Sequence, residues 1–144
     1  MKNLWPESFE ENNTESAKNL FEEQAKLLTK ITKGVVFAEV EEMAYNEAML
    51  SNMKDDFSFN FNIKAKFLEG YSFKVLSFCH DITFYPVKLK LDSNIANELG
   101  IGNPFSDTKI ESIESPEKLQ NFVGKILNSD RIKKVIGSII KLSK

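Results

Sequence analysis

"DDFSFNFNIKAKF", Asp55 to Phe67, is the stretch whose reading decides the fold. From Phe57 onward apolar and polar residues alternate without a break. Phe57, Phe59, Phe61, Ile63, Ala65 and Phe67 fall on one face of a strand, and Ser58, Asn60, Asn62, Lys64 and Lys66 fall on the other. This is the pattern of an antiparallel strand with one face in a core and one in water. At ~3.4 Å per residue it would reach about 37 Å, beyond the usual strand, so strong twist or a bulge is expected along it.

Leu68, Glu69 and Gly70 read as the turn into a third strand, Tyr71 to His80, with Gly70 at a left-handed last position. A three-residue loop sets Phe67 against Tyr71, Ala65 against Phe73, Ile63 against Val75 and Phe59 against Cys79, so that apolar side chains meet. In that register Cys79 points into the phenylalanine core. Leu76, Phe78 and His80 then share the opposite face with Asn60 and Asn62. Val35 to Ala44 reads as a preceding strand, with Val36, Ala38 and Val40 on one face and Glu39 and Glu41 on the other. Asn46 to Lys54 reads as a loop or a short helical turn. A fourth strand runs from about Thr83 to Leu91, and Pro86, which has no amide hydrogen, argues for an edge or a bulge there.

Helices flank these strands. Ala17, Leu20, Phe21, Gln24, Leu27, Leu28 and Ile31 recur at helical spacing after Thr14, read as the N-cap with Glu15 in the first turn, and Gly34 ends the run. Asp92 or Ser93 caps a short helix from Asn94 to Leu99, closed by Gly100. "GIGNPFSDTKIESIE", residues 100–114, reads as an irregular connection. Ser115, Pro116 and Glu117 open another helix, and Ser129 caps a last one striped by Ile132, Val135, Ile136, Ile139 and Ile140. The expectation is an α+β domain: an N-terminal helix, a four-stranded antiparallel meander and C-terminal helices packed on one sheet face.

The chain of 144 residues suits one domain over 1–144, with 1–13 a flexible or docking arm. Hydrophobic content of 42% and charged content of 28% are those of a globular protein, and a net charge of −2 supplies no general attraction to nucleic acid or anionic lipid. The single Cys79 makes no intramolecular disulfide. Neither a signal peptide nor an apolar run of membrane-spanning length is legible, so the cytoplasm is the expected address.

Three segments, "EQAKLLTKITKGVVFAEV" at 23–40, "FCHDITFYPVKLKL" at 78–91 and "SDRIKKVIGSIIKLS" at 129–143, together resemble a scattered group of small bacterial proteins with no assigned function. The resemblance implies a bacterial cytosolic single domain and carries no site residues.

Chemical signals are few. Cys79, His80 and Asp81 are consecutive, but successive strand residues project to opposite faces and do not form a nucleophile with its base. Glu39, Glu41 and Glu42 could be asked to hold a hard cation, yet a solvated strand face explains them. "GIGNPF" has neither the lysine nor the third glycine of a phosphate loop and reads as a turn. Arg131, Lys133, Lys134, Lys141 and Lys144 lack interleaved aromatics, so a solvated helix face is preferred to nucleic acid or lipid. No cofactor, metal or catalytic residue is assigned.

The expected function is a non-catalytic protein-interaction or regulatory module, preferred to an enzyme. Its expected surface is Asn60, Asn62, Leu76, Phe78 and His80, covered by a protein partner or by self-association. The alternative is a small-ligand binder or enzyme with a pocket near His80, Asp81 and Tyr85.

Overall fold

A computed structural model describes residues 1–101 and 110–144. In chain order the elements are α1 (Ala17–Ile31), β1 (Val36–Glu42), α2 (Tyr45–Leu50), β2 (Phe57–Ala65), β3 (Ser72–His80), β4 (Val87–Leu91), α3 (Ser93–Leu99), β5 (Ile110–Ile113), α4 (Pro116–Leu127) and α5 (Asp130–Leu142). The strands form one antiparallel sheet in the order β1-β2-β3-β4-β5. The α+β class and the meander are as expected, but the sheet has five strands rather than four. From sequence β5 reads as connection because "IESI" carries only two apolar residues and no alternation; its ladder with β4 supplies what its pattern does not. The turn expected at "GIGNPF" lies outside the described residues from position 102.

The local rules hold where a cap or a stripe is unambiguous. Asp92 caps α3 by accepting from the amides of Asn94 and Ile95, and Gly100 closes it in the left-handed region. Ser115 with Pro116 opens α4, and Ser129 accepts from the Ile132 amide to open α5. The first cap differs from expectation. Ser16, not Thr14, accepts from the Asn19 amide at 3.2 Å, because the buried stripe begins at Ala17 and Ser16 is the hydroxyl one step ahead of it. Pro86 likewise lies outside the ladder: β4 begins at Val87 and is an interior strand between β3 and β5.

The larger correction concerns β2 and β3. Ile63 pairs with Phe73 and Lys64 with Ser72, two positions nearer the turn than expected, which alone would preserve every face. Between Phe61 and Asn62, however, the register slips by one: Phe61 pairs with Leu76 while Asn62 pairs with Lys74. Val75 is therefore the extra residue of a β-bulge on β3. Its carbonyl is not orphaned, since the Asp92 amide donates to it at 2.8 Å. Val75 and Leu76 both enter the core, and beyond the bulge all side chains of β3 exchange faces.

The core lies on the phenylalanine face, under α1, α3, α4 and α5. Phe21 of α1 stacks on Phe78 with ring centres 4.7 Å apart and meets Phe61 at 5.0 Å. Ile95, Leu119, Val123, Ile126, Ile132 and Ile139 close the layer. Glu98 of α3 accepts from the amides of Asp130 and Arg131, tying α3 to the start of α5. α2 sits on the other face of the sheet, where Glu47 bonds Asn60 and where Ala48 and Met53 are buried outside the main core cluster.

Candidate functional site

The five residues expected to share a surface are divided between the two faces. Leu76 and Phe78 are fully buried in the core, and His80 is buried beside them. Replacing Leu76 and Phe78 by serine would therefore unfold the protein rather than bare a partner surface. Asn60 and Asn62 remain opposite, with Ser77 and Cys79, as the bulge dictates.

His80 is enclosed by aromatic rings: Phe57 at 5.4 Å, Phe59 at 6.3 Å and Phe84 edge-on at 6.0 Å. Its Nδ1–H donates to the Asp81 carbonyl at 2.7 Å. Asp81 is exposed, and its carboxylate accepts from the Thr83 hydroxyl and amide, which hold it below the usual carboxylate range. Tyr85 donates its hydroxyl to the Glu15 carbonyl at 3.0 Å, and burial raises its pKa. The three side chains thus bond separate partners: the Asp81 carbonyl, Thr83 and the Glu15 carbonyl. Cys79 is buried as expected but on the opposite face, with Sγ 3.6 Å from the Asp55 carboxylate; burial, then that negative charge, push its thiol up to about 12.

The polar face is a connected network. Ser77 donates to Asn60 Oδ1 at 2.6 Å, Asn60 Nδ2 donates to Glu47 Oε1 at 2.8 Å, and Lys74 donates to the same oxygen at 3.1 Å. The Asn60 amide and then Lys74 lower the Glu47 pKa against the opposing effect of burial. At the β1 side Lys64 bridges Glu39 at 2.9 Å and Glu41 at 2.8 Å, and Asn62 donates to Glu41. Lys64, then Asn62, lower Glu41, while Glu41, then Glu39, raise Lys64. Glu39 and Glu41 already have a cation between them, the Lys64 ammonium. Among the described residues no group of three or more His, Cys, Asp and Glu is placed to hold a metal.

A larger concave feature lies elsewhere among the described residues. A cleft of about 890 Å³ opens between α1 on one side and α4 with α5 on the other. Phe61 and Ile63 of the sheet reach its floor, Leu27, Leu28 and Ile31 form one wall, and Val123, Leu127 and Ile136 form the facing one. Its rim is polar and, among the described residues, carries no lysine or arginine: Glu15, Asn19, Glu23 and Gln24 on one bank, Gln120 and Asn128 on the other. The apolar stripe of α1 explains the opening. Ala17, Leu20 and Phe21 are buried at its beginning, but Leu27 and Ile31 are 46% and 78% exposed at its end. The stripe is longer than the layer that covers it. Sequence periodicity marks Leu27 and Ile31 as buried because spacing reports which face of a helix is apolar and not where its neighbours stop.

None of His80, Asp81 or Tyr85 lines this cleft. No helix among the described residues is long and apolar enough to cross a membrane. Comparison with protein-family models, with curated proteins and with solved structures finds no match to this chain.

Proposed function

We propose that the protein is a non-catalytic interaction module whose cleft between α1 and α4–α5 receives an amphipathic helix of a protein partner. The observation that carries the reading is the exposure of Leu27 and Ile31, one turn apart on a helix stripe and at the wall of an apolar trough. Lining residues of α1 run from Asn19 to Ile31, roughly 18 Å at the helical rise, a length that matches a partner helix of about three turns. The carboxylates of Glu15 and Glu23 at the rim favour a partner whose apolar stripe is flanked by lysine or arginine. A second reading, an elongated apolar small molecule, is favoured by the volume, which falls within the range of ligand pockets.

A photo-crosslinking side chain placed at Leu27 or Ile31, with Leu50 on the far side as control, separates the readings in cells of the source organism. The helix reading expects a protein adduct from the cleft positions only, mapping to a basic amphipathic segment and lost in Ile136→Glu. A co-purifying apolar molecule seen by native mass spectrometry, with no protein adduct at Leu27 or Ile31, would replace it with the ligand reading.

A further inference from the structure

The arm that precedes α1 and the outer side of α5 are complementary in both charge and surface. Leu4, Trp5 and Phe9 stand in solvent, Trp5 at 75% and Phe9 at 72% exposure, and the two rings meet edge-on at 6.0 Å. Glu7, Glu10 and Glu11 surround them, against Lys2 alone. A chain that holds three large apolar side chains in water beside acids has the composition of a docking segment.

The matching surface lies at the other end of the molecule. A small cavity of about 290 Å³ is walled by Leu68 and Tyr71 at the β2–β3 turn and by Val135, Ile139 and Leu142 of α5, with Arg131 and Lys134 beside them. Arg131 lies 5.2 Å over the Phe73 ring, and its buried Nε has no hydrogen-bond partner among the described residues. Neither the Arg131 guanidinium nor the Lys134 ammonium forms an ion pair with a described carboxylate. Lys133 and Lys141 extend the positive charge along the helix.

We propose that the arm of a second copy of this chain docks here. Trp5 fills the cavity beside the Arg131 and Lys134 cations, where an indole face is the preferred aromatic partner. Glu7, Glu10 and Glu11 lie along the α5 lysines, and a two-fold arrangement lets both copies exchange arms. The larger cleft is the wrong receptor for this segment, since its rim carboxylates repel an acidic arm. The chain's own arm is poorly placed. It is anchored where Tyr85 holds the Glu15 carbonyl, at the far end of β3 from the turn, and the nine residues of β3 span roughly 30 Å. The stretch from Trp5 to Glu15 covers about that distance only when drawn nearly straight, at a large cost in chain entropy. A neighbouring copy meets no such constraint.

Trp5 is the only tryptophan, so its fluorescence reports the docking directly in the full chain. Emission and sedimentation velocity are followed together over a range of protein concentrations. The expected result is a blue shift that grows with concentration in step with a monomer-to-dimer shift, weakened at about 1 M salt, where surface charges are screened. Lys134→Glu, an exposed substitution that leaves the core untouched, should weaken the association by roughly tenfold or more. Emission that stays solvent-exposed at every concentration overturns the proposal. So does a blue shift in a particle that remains monomeric, which would mean that the arm folds onto its own chain. Association that is unchanged in Lys134→Glu overturns it as well.

Discussion

The two faces of the β2–β3 ladder are joined through the same backbone and stabilised by opposite means. On one face Phe59, Phe61, Leu76 and Phe78 pack against Phe21, and removal of their side chains from water contributes most of the stabilisation. On the other, Ser77, Asn60, Glu47 and Lys74 form a chain of hydrogen bonds in which each buried polar group is matched to a partner. The apolar face tolerates small shifts because dispersion and burial have little directionality. The polar face does not, because a displaced donor leaves a desolvated acceptor behind. The bulge at Val75 sets both at once, since it alone decides which β3 residues meet which face.

The largest expected effect comes from adding one more residue to β3. Insertion of one residue after Leu76 would displace the rest of β3 by one position against β2, swing Phe78 out of the core and bring Ser77 and Cys79 inward. Loss of near-ultraviolet circular dichroism and of a cooperative denaturant transition is expected. A variant that melts like the parent would show that the ladder absorbs the extra residue without exchanging its faces.

A smaller and more quantitative contrast compares one residue from each face. Phe78→Ala should cost about 3–5 kcal/mol, through lost transfer energy and a cavity beside Phe21 and Phe59. Ser77→Ala should cost about 1–3 kcal/mol, because Asn60 Oδ1 loses the hydroxyl that donates to it in a buried setting. Denaturant melts that reverse this order would mean that the polar network, not the phenylalanine layer, is the firmer half of the sheet.

The smallest expected effect is on pH dependence. The Glu47 carboxylate is held below its ordinary value of 4.5, first by Asn60 and then by Lys74. Its contribution to stability is therefore present above that value and is lost as pH falls through the lowered one. Glu47→Gln should flatten this acid limb with little change near neutrality, and the partial exposure of the carboxylate keeps the effect small. Urea midpoints measured from about pH 7 down to about pH 3 on both proteins give the comparison. An acid limb of equal steepness in the variant would assign the loss to other groups, with Glu41 the first to examine.

Most of the fold is legible in the sequence because its elements are periodic and capped. The alternation from Phe57, the stripe of α1 and the serine caps of α4 and α5 each repeat a local rule with no tertiary conflict. What is illegible depends on pairing between segments. An extra residue on β3 leaves no mark in β3's own pattern, because "SFKVLSFCH" is apolar at positions of either parity. The length of the alternating strand does signal a bulge, but the alternation lies in β2 and the added residue in its neighbour. A surface drawn from Asn60, Asn62, Leu76, Phe78 and His80 inherits that single-residue slip. The cleft escapes the sequence for a different reason: Leu27 and Ile31 are ordinary stripe positions, and only the placement of α4 and α5 leaves them open.

The order β1-β2-β3-β4-β5 also leaves two edges in the described sheet, and each is made unattractive to a stray strand. β5 offers only four residues as a template. On β1 the amide of Val36, at the start of the edge, already donates to the Thr32 hydroxyl at 3.1 Å, and Glu39, Glu41 and Glu42 follow it. An approaching copy of β1 would set carboxylate against carboxylate, so unchecked polymerisation through the sheet is disfavoured by the same acids that grip Lys64. A protein rich in phenylalanine and alternating strand sequence, the composition from which fibrils grow, thus carries its protection against templated growth at its border rather than in its interior.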